Sequence, residues 1–206
     1  MKHNQAKASV YQLKVTLDGI EPPIWRRLLV PSNITLDQFH GVIQVAMGWT
    51  NSHLHQFIVG KKYYGMLNND EMDDELETID ERLYTLAQIA THKGALVVYQ
   101  YDFGDNWEHL IIVEEILPAE KKSQPRCLDG ARACPPEDVG STCGYEDFLK
   151  AIKNPKHKEH KAMLDWAGGK FDPEALSVEA VNRTLKELQK AGSLEELWPC
   201  EEEELI

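Results

Sequence analysis

Tyr99-Gln100-Tyr101-Asp102-Phe103-Gly104-Asp105-Asn106-Trp107-Glu108-His109 is the stretch whose reading decides the fold class. Leading into it, Val97, Tyr99, Tyr101 and Phe103 alternate with Leu96 and Val98; beyond the turn, Trp107, His109, Ile111 and Val113 resume the alternation. A period of two marks strands with one buried face. Gly104-Asp105-Asn106 supplies residue types that tolerate the positive φ of a tight turn. The stretch therefore predicts a hairpin with Asp102, Asp105 and His109 gathered near its tip. A turn has no mechanical need of a Trp, a His and two Asp, so this concentration marks a candidate site.

Working outward, Tyr11, Leu13, Val15 and Leu17 alternate with Val10, Gln12 and Lys14 up to Asp18-Gly19, a strand followed by a turn. Ile24 to Val30 reads as its hairpin partner, with Pro22-Pro23 in the connection because proline cannot join a central ladder. Thr35 and Gln38 have capping-box spacing, and Leu36, Phe39, Ile43, Ala46 and Met47 share a stripe, which predicts a helix ended by Gly48. His40 lies on that stripe. After a Trp49-Thr50-Asn51-Ser52 turn, His53 to Val59 reads as a strand with His53, His55, Phe57 and Val59 on one face, so three histidines converge.

Gly60 to Arg82 carries Asp70, Glu71, Asp73, Asp74, Glu75, Glu77, Asp80 and Glu81 and reads as a solvated excursion. A short helix over Thr85 to Thr91 leads into the hairpin, whose second strand runs to Leu117. Cys127 to Gly144 holds too much Gly and Pro for a regular element and reads as a loop. Helical patterns follow at Tyr145 to Lys153, Lys156 to Trp166 and Ser177 to Ala191. Strands, a helix, more strands and then helices, without a βαβ repeat, predict an α+β fold. The expected architecture is a mainly antiparallel sheet built from hairpins, one packed N-terminal helix and a C-terminal helical segment. It forms a single domain over 1–206, sheet-rich over about 8–117 and loop and helical over about 125–195.

With 42% hydrophobic and 27% charged residues, the 206-residue chain has the balance of a soluble globular protein. Its net charge of -12 repels phosphate backbones, so nucleic acid is not the expected partner. No stretch approaches the roughly 20 apolar residues of a membrane span, and a cytoplasmic location is expected. Cys127, Cys134, Cys143 and Cys200 are too few for a disulfide scaffold, and their spacing lacks the short knuckle of structural zinc sites.

The chain resembles the plasmid pRiA4b ORF-3-like family. The matching stretches are W-R-R-L at Trp25 to Leu28, F-H-G-V-I-Q-V-A-M-G-W at Phe39 to Trp49, H-L-H-Q-F at His53 to Phe57, Y-D-F-G-D-N-W-E-H at Tyr101 to His109, C-P-P-E-D-V-G at Cys134 to Gly140 and F-D-P-E at Phe171 to Glu174. The resemblance implies an α+β fold and little about activity, since the family is of unknown function and some members carry labels such as transposon resolvase or repressor. Two departures stand out: Ser141 replaces the second glycine of the P-P-E-D-x-G-G loop, and Ser177 replaces an acidic residue after F-D-P-E. Recombinase chemistry needs an activated serine among phosphate-holding arginines, and neither Ser9 nor Ser32 has that setting; Arg26 and Arg27, adjacent on a strand, face opposite ways.

The candidate pocket comprises His40, His53, His55, Asp102, Asp105, Trp107, His109, Glu137 and Asp138. Imidazole and carboxylate together suit a divalent ion such as zinc, with His53, His55, Asp105 and His109 as the expected ligands. The plainer reading is a buried hydrogen-bonded network pinning the hairpin tip. The function expected is a non-catalytic binding or accessory module whose partner is a small molecule or protein. A metal-dependent hydrolase with Glu137 or Asp138 as base is the alternative, and a DNA-associated accessory protein using Lys150 to Lys161 is the third.

Overall fold

The computed structural model describes residues 9–67, 78–119 and 123–198. Its eight strands are β1 (Ser9–Leu17), β2 (Trp25–Pro31), β3 (His55–Val59), β4 (Lys62–Gly65), β5 (Thr78–Asp80), β6 (Leu96–Tyr101), β7 (Trp107–Pro118) and β8 (Arg126–Ala131). They form one sheet in the order β5-β4-β3-β6-β7-β1-β2-β8. Every pairing is antiparallel except β4 with β5. The helices are α1 (Leu36–Met47), α2 (Leu86–Ile89), α3 (Ser141–Lys153), α4 (His160–Trp166), α5 (Val178–Ala191) and α6 (Leu194–Leu197). The fold is α+β, as the order of elements implies.

The alternation of apolar residues places the core on one face of the sheet. Tyr11, Leu13, Val15 and Leu17 of β1 are buried beside Val97, Tyr99 and Tyr101 of β6 and Ile111 and Val113 of β7. Lys14, Arg27 and Glu114 occupy the opposite face, where Arg27 pairs with Glu114 at 2.7 Å and lies over the Trp25 ring. Helix α1 is buried almost all round, because the sheet lies on one side and Leu185, Leu188 and Leu194 of α5 and α6 pack with the same core on the other. Its C-terminus is closed by Gly48 at φ 101, whose N–H donates to Gln44 O at 2.8 Å. Buried Arg26 ties this end to the sheet: its guanidinium donates to Ala46 O (2.8 Å), Trp25 O and Ala131 O (both 2.9 Å). Buried and bonded to three carbonyls, it presents no surface to a phosphate.

Several boundaries differ from the sequence expectation. Arg126–Ala131, read as part of a loop, is the edge strand β8 paired with β2. An edge strand bonds on one side only, so glycine and charge do not exclude it. Thr35 makes no side-chain cap despite its spacing, whereas Thr85 N donates to Gln88 Oε1 at 2.7 Å at the start of α2. Thr35 instead bridges to Thr85, with Leu36 N donating to Tyr84 O and Leu86 N to Ile34 O. The excursion holds β4 and β5 at its ends, while Asp70, Glu71, Asp73, Asp74, Glu75 and Glu77 lie outside the described residues, as does Cys200.

Candidate functional site

Three segments meet where β3 begins, β6 ends and β7 begins: the turn from Trp49 to His53, the hairpin tip from Asp102 to Asn106, and the loop from Cys134 to Gly140. Strand β3 starts only at His55, because Asn51 adopts φ 60 and turns the chain. His53 therefore sits in the turn, and it does not share a strand face with His55. The hairpin tip places its positive φ at Asp102 (56°) and Asn106 (57°), with Gly104 N donating to Asp102 Oδ1 at 2.9 Å.

The Cys134–Gly140 loop is tied across to both. Trp49 Nε1 donates to Pro135 O at 3.0 Å, Thr50 N to Glu137 Oε1 at 3.0 Å, and Tyr101 Oη to Glu137 Oε1 at 3.1 Å. Burial and the Glu137 carboxylate push the Tyr101 phenol well up, so it stays protonated and donates. Gly140 N donates to Asp105 Oδ2 at 2.9 Å, so Asp105 braces the loop. A Cβ on Gly144 would lie 2.1 Å from Val139 O, so the loop can run this close to α3 only past a glycine. Ser141, standing where glycine is common, does take a left-handed φ of 59.

The result is a cluster of one imidazole and three carboxylates. His53 Nε2 lies 3.1 Å from Asp138 Oδ1, 3.7 Å from Asp102 Oδ2 and 3.9 Å from Glu137 Oε2. These are ion-pair distances, yet none is aligned as a hydrogen bond, and the buried Nε2 has no hydrogen-bond partner. His53, Asp102 and Asp138 each offer a ligand atom within 4.8 Å of the others, the one such trio of His, Cys, Asp or Glu among the described residues. Donor atoms about 2.1 Å from a shared ion stand about 3 to 4.2 Å apart, depending on bond angle. The separations from His53 Nε2 fall in that range. Asp138 is solvent-exposed and Asp102 buried, so the cluster opens to water on one side.

The remaining candidates go elsewhere. His40 and His55 stack face to face with centroids 3.4 Å apart, and His55 Nε2 bonds Glu81 Oε2 at 3.0 Å, both side chains 3% exposed. His40 Nε2 donates to Asn51 Oδ1 at 2.8 Å, and its Nδ1 accepts from Tyr99 Oη at 2.8 Å. Gln44 Nε2 donates to Tyr99 Oη at 3.0 Å and Gln44 Oε1 accepts from Asn51 N at 2.9 Å, closing a ring of bonds that holds the turn before His53. Burial, then the adjacent His55, keeps His40 well below the usual imidazole range.

His109 is wholly buried against Tyr99 and Trp49, and burial pushes it down to about 4. Trp107 is core beside Trp49, its centroid 6.2 Å away. The expected ligand set of His53, His55, Asp105 and His109 is thus not gathered as one cluster: His55 bonds Glu81, Asp105 bonds Gly140 N, His109 lies against Tyr99 and Trp49, and of the four only His53 belongs to the metal-spaced trio among the described residues. Glu81, Gln44, Asn51 and Tyr101 went unweighed in the sequence. Only Tyr101, inside the opening hairpin motif, carried a signal.

Cys127 and Cys134 are buried with thiols pushed up by burial, and Cys143 is exposed. Lys150 is paired with Asp147 at 2.8 Å, which weakens the basic cluster around it. Among the described residues no helix is long and apolar enough to cross a membrane.

A mainly antiparallel sheet sheathed on one face by helices, with a histidine and carboxylate cluster at the strand ends where a P-P-E-D loop closes over a hairpin tip, defines the class of protein. The profile of the plasmid pRiA4b ORF-3-like proteins matches residues 9–180, and the chain belongs to that family. It is 40% identical over 183 residues to the uncharacterized protein y4hQ of Sinorhizobium fredii, covering 88% of this chain and 93% of that protein. It is also similar to the crystal structure of MM3350, a protein of unknown function from Methanosarcina mazei Go1: TM-score 0.74, 34% identity, 84% of this chain and 98% of the other.

Proposed function

We propose that the protein is a divalent-metal-binding module whose ion is held by His53, Asp102 and Asp138, with Glu137 at its side. The observation that carries this reading is the buried, unbonded His53 Nε2 facing three carboxylates. Carboxylates only accept, so a nitrogen turned toward them needs a proton or a metal ion in between. One imidazole with several carboxylate oxygens suits Zn²⁺, Mn²⁺ or Fe²⁺. The bonds from Thr50 and Tyr101 to Glu137, and from Gly104 to Asp102, are outer partners that orient carboxylates toward an ion.

The test is elemental analysis of untagged protein, followed by titration of metal-free protein with Zn²⁺ and Mn²⁺. About one ion per chain is expected, with Asp102→Asn and His53→Gln each lowering affinity by at least about tenfold. No saturable uptake of either metal, together with unchanged folding in both variants, would sink the reading.

A second reading is metal-assisted hydrolysis. Glu137 favours it, since its Oε2 stands 3.9 Å from His53 Nε2 while Oε1 is anchored, placing a carboxylate beside the ion where a base would take a proton from bound water. Loss of hydrolysis in Glu137→Gln with metal content retained would support it.

A further inference from the structure

We propose that a second site, the cavity between α1, the turn Glu81–Leu83 and the α5–α6 corner, binds a small organic cation: an amine whose ammonium head is received by Asp37 and Glu81 and whose hydrocarbon body lies on Leu185, Leu188 and Leu194. The cavity has a volume of about 640 Å³ and is lined by these residues together with His40 and His55. That size is in the range of small-molecule sites, about 300 to 1,000 Å³, which pair apolar walls with a few converging polar groups.

Its two inward carboxylates accept few hydrogen bonds among the described residues. Glu81 is 2% exposed and, among the described residues, its carboxylate receives a single side-chain hydrogen bond, from His55, although a carboxylate offers about four acceptor positions. Asp37 holds a buried Oδ1 with no hydrogen-bond partner. Arg82, the one Lys or Arg among the described lining residues, bonds Asp80 twice at 2.9 Å and acts on Asp37 and Glu81 through its charge alone, bonding neither. His40 is bonded at both nitrogens inside the fold and supplies no charge to the cavity. Glu195 adds another carboxylate to the wall.

An anion would face three carboxylates, Asp37, Glu81 and Glu195, with only neutral amides such as Gln38 and Gln189 to receive it, and an apolar ligand would leave Asp37 Oδ1 unpaired. A bare metal ion would not use the leucine wall, and the described trio with metal-ligand spacing lies elsewhere, at His53. An ammonium group supplies three donors and the compensating charge.

The experiment compares octylamine, 1-octanol and octanoate, three probes with one tail and different heads, by calorimetric titration of the full chain at neutral pH with EDTA present. The chelator separates this site from the metal centre. Saturable binding of octylamine, at least about tenfold tighter than of 1-octanol, is expected, with octanoate weakest. Asp37→Asn should weaken octylamine binding about fivefold or more and leave 1-octanol unchanged, in a variant that still folds, because Oδ1 makes no hydrogen bond among the described residues. Glu81→Gln should act in the same direction. Equal affinity for amine and alcohol, preference for octanoate, no saturable octylamine binding, or an unaffected and folded Asp37→Asn variant would each overturn the proposal.

Discussion

Gly144→Ala tests whether the Cys134–Gly140 loop is what assembles the carboxylate cluster. Gly144 lies in the first turn of α3 and its N–H donates to Gly140 O at 2.8 Å. An alanine Cβ there would sit 2.1 Å from Val139 O and 2.9 Å from Val139 C, both backbone atoms that cannot rotate aside. Relief requires the Val139 peptide and the start of α3 to separate by about 1 Å, since Cβ contacts below about 3 Å are hard clashes. Overpacking of this kind costs about 1–3 kcal/mol, and weakening the Gly144 hydrogen bond adds about 1. The total, about 2–4 kcal/mol, corresponds to a fall in melting temperature of roughly 5–15 °C for a domain of this size.

The same displacement carries Glu137 and Asp138, six or seven residues before Gly144 in the chain, away from His53. Their positions depend on the bonds from Thr50, Tyr101 and Gly140, and a ligand misplaced by about 1 Å loses most of its coordination energy. Differential scanning calorimetry and a Zn²⁺ titration on the same preparation read both effects. A variant with wild-type melting and wild-type affinity would refute the idea that close approach of Val139 to α3 sets the loop. Lost stability with unchanged affinity would show that the loop carboxylates do not contribute to the ion.

Ser141→Gly should act oppositely: Ser141 holds φ 59 with a side chain that makes no hydrogen bond, so glycine relieves about 1–2 kcal/mol of strain and returns part as backbone entropy, a net gain of about 0.5–1 kcal/mol by denaturant melting. An unchanged or lower midpoint would contradict it. Stability should also fall as pH drops from 6.5 toward 4. His109 is pushed from 6.5 to about 4 by burial, so below 6.5 the unfolded chain takes up a proton that the folded chain refuses, and stability is lost at about 1.4 kcal/mol per pH unit. His40, lowered in the same direction, adds to the slope. The loss from His109 alone reaches about 3 kcal/mol by pH 4. Denaturant midpoints flat between pH 7 and 5 would show that neither histidine is held neutral.

Local sequence determined the strands, because period-two alternation and turn chemistry act within a few residues: β1, β2, β6 and β7 and the hairpin between the last two are legible in the chain itself. The family resemblance was legible too, and with it the α+β class. Edge strand β8 was not, since one-sided pairing leaves little pattern to read, and its Gly130 is there because a Cβ would lie 2.7 Å from Trp25 O, a contact made only in the folded sheet. The site divides in the same way. Asp102, His53, Glu137 and Asp138 stood out by residue type, but which histidine meets which carboxylate did not. That depends on Asn51 turning the chain two residues before His53, so that His53 and His55 part company, and on a loop about thirty residues downstream of the hairpin tip being drawn in by Trp49, Thr50 and Tyr101. Spacing along a chain records faces of regular elements. The meeting of a turn, a hairpin tip and a distant loop is set by hydrogen bonds and close contacts between segments, and only the tertiary structure holds those.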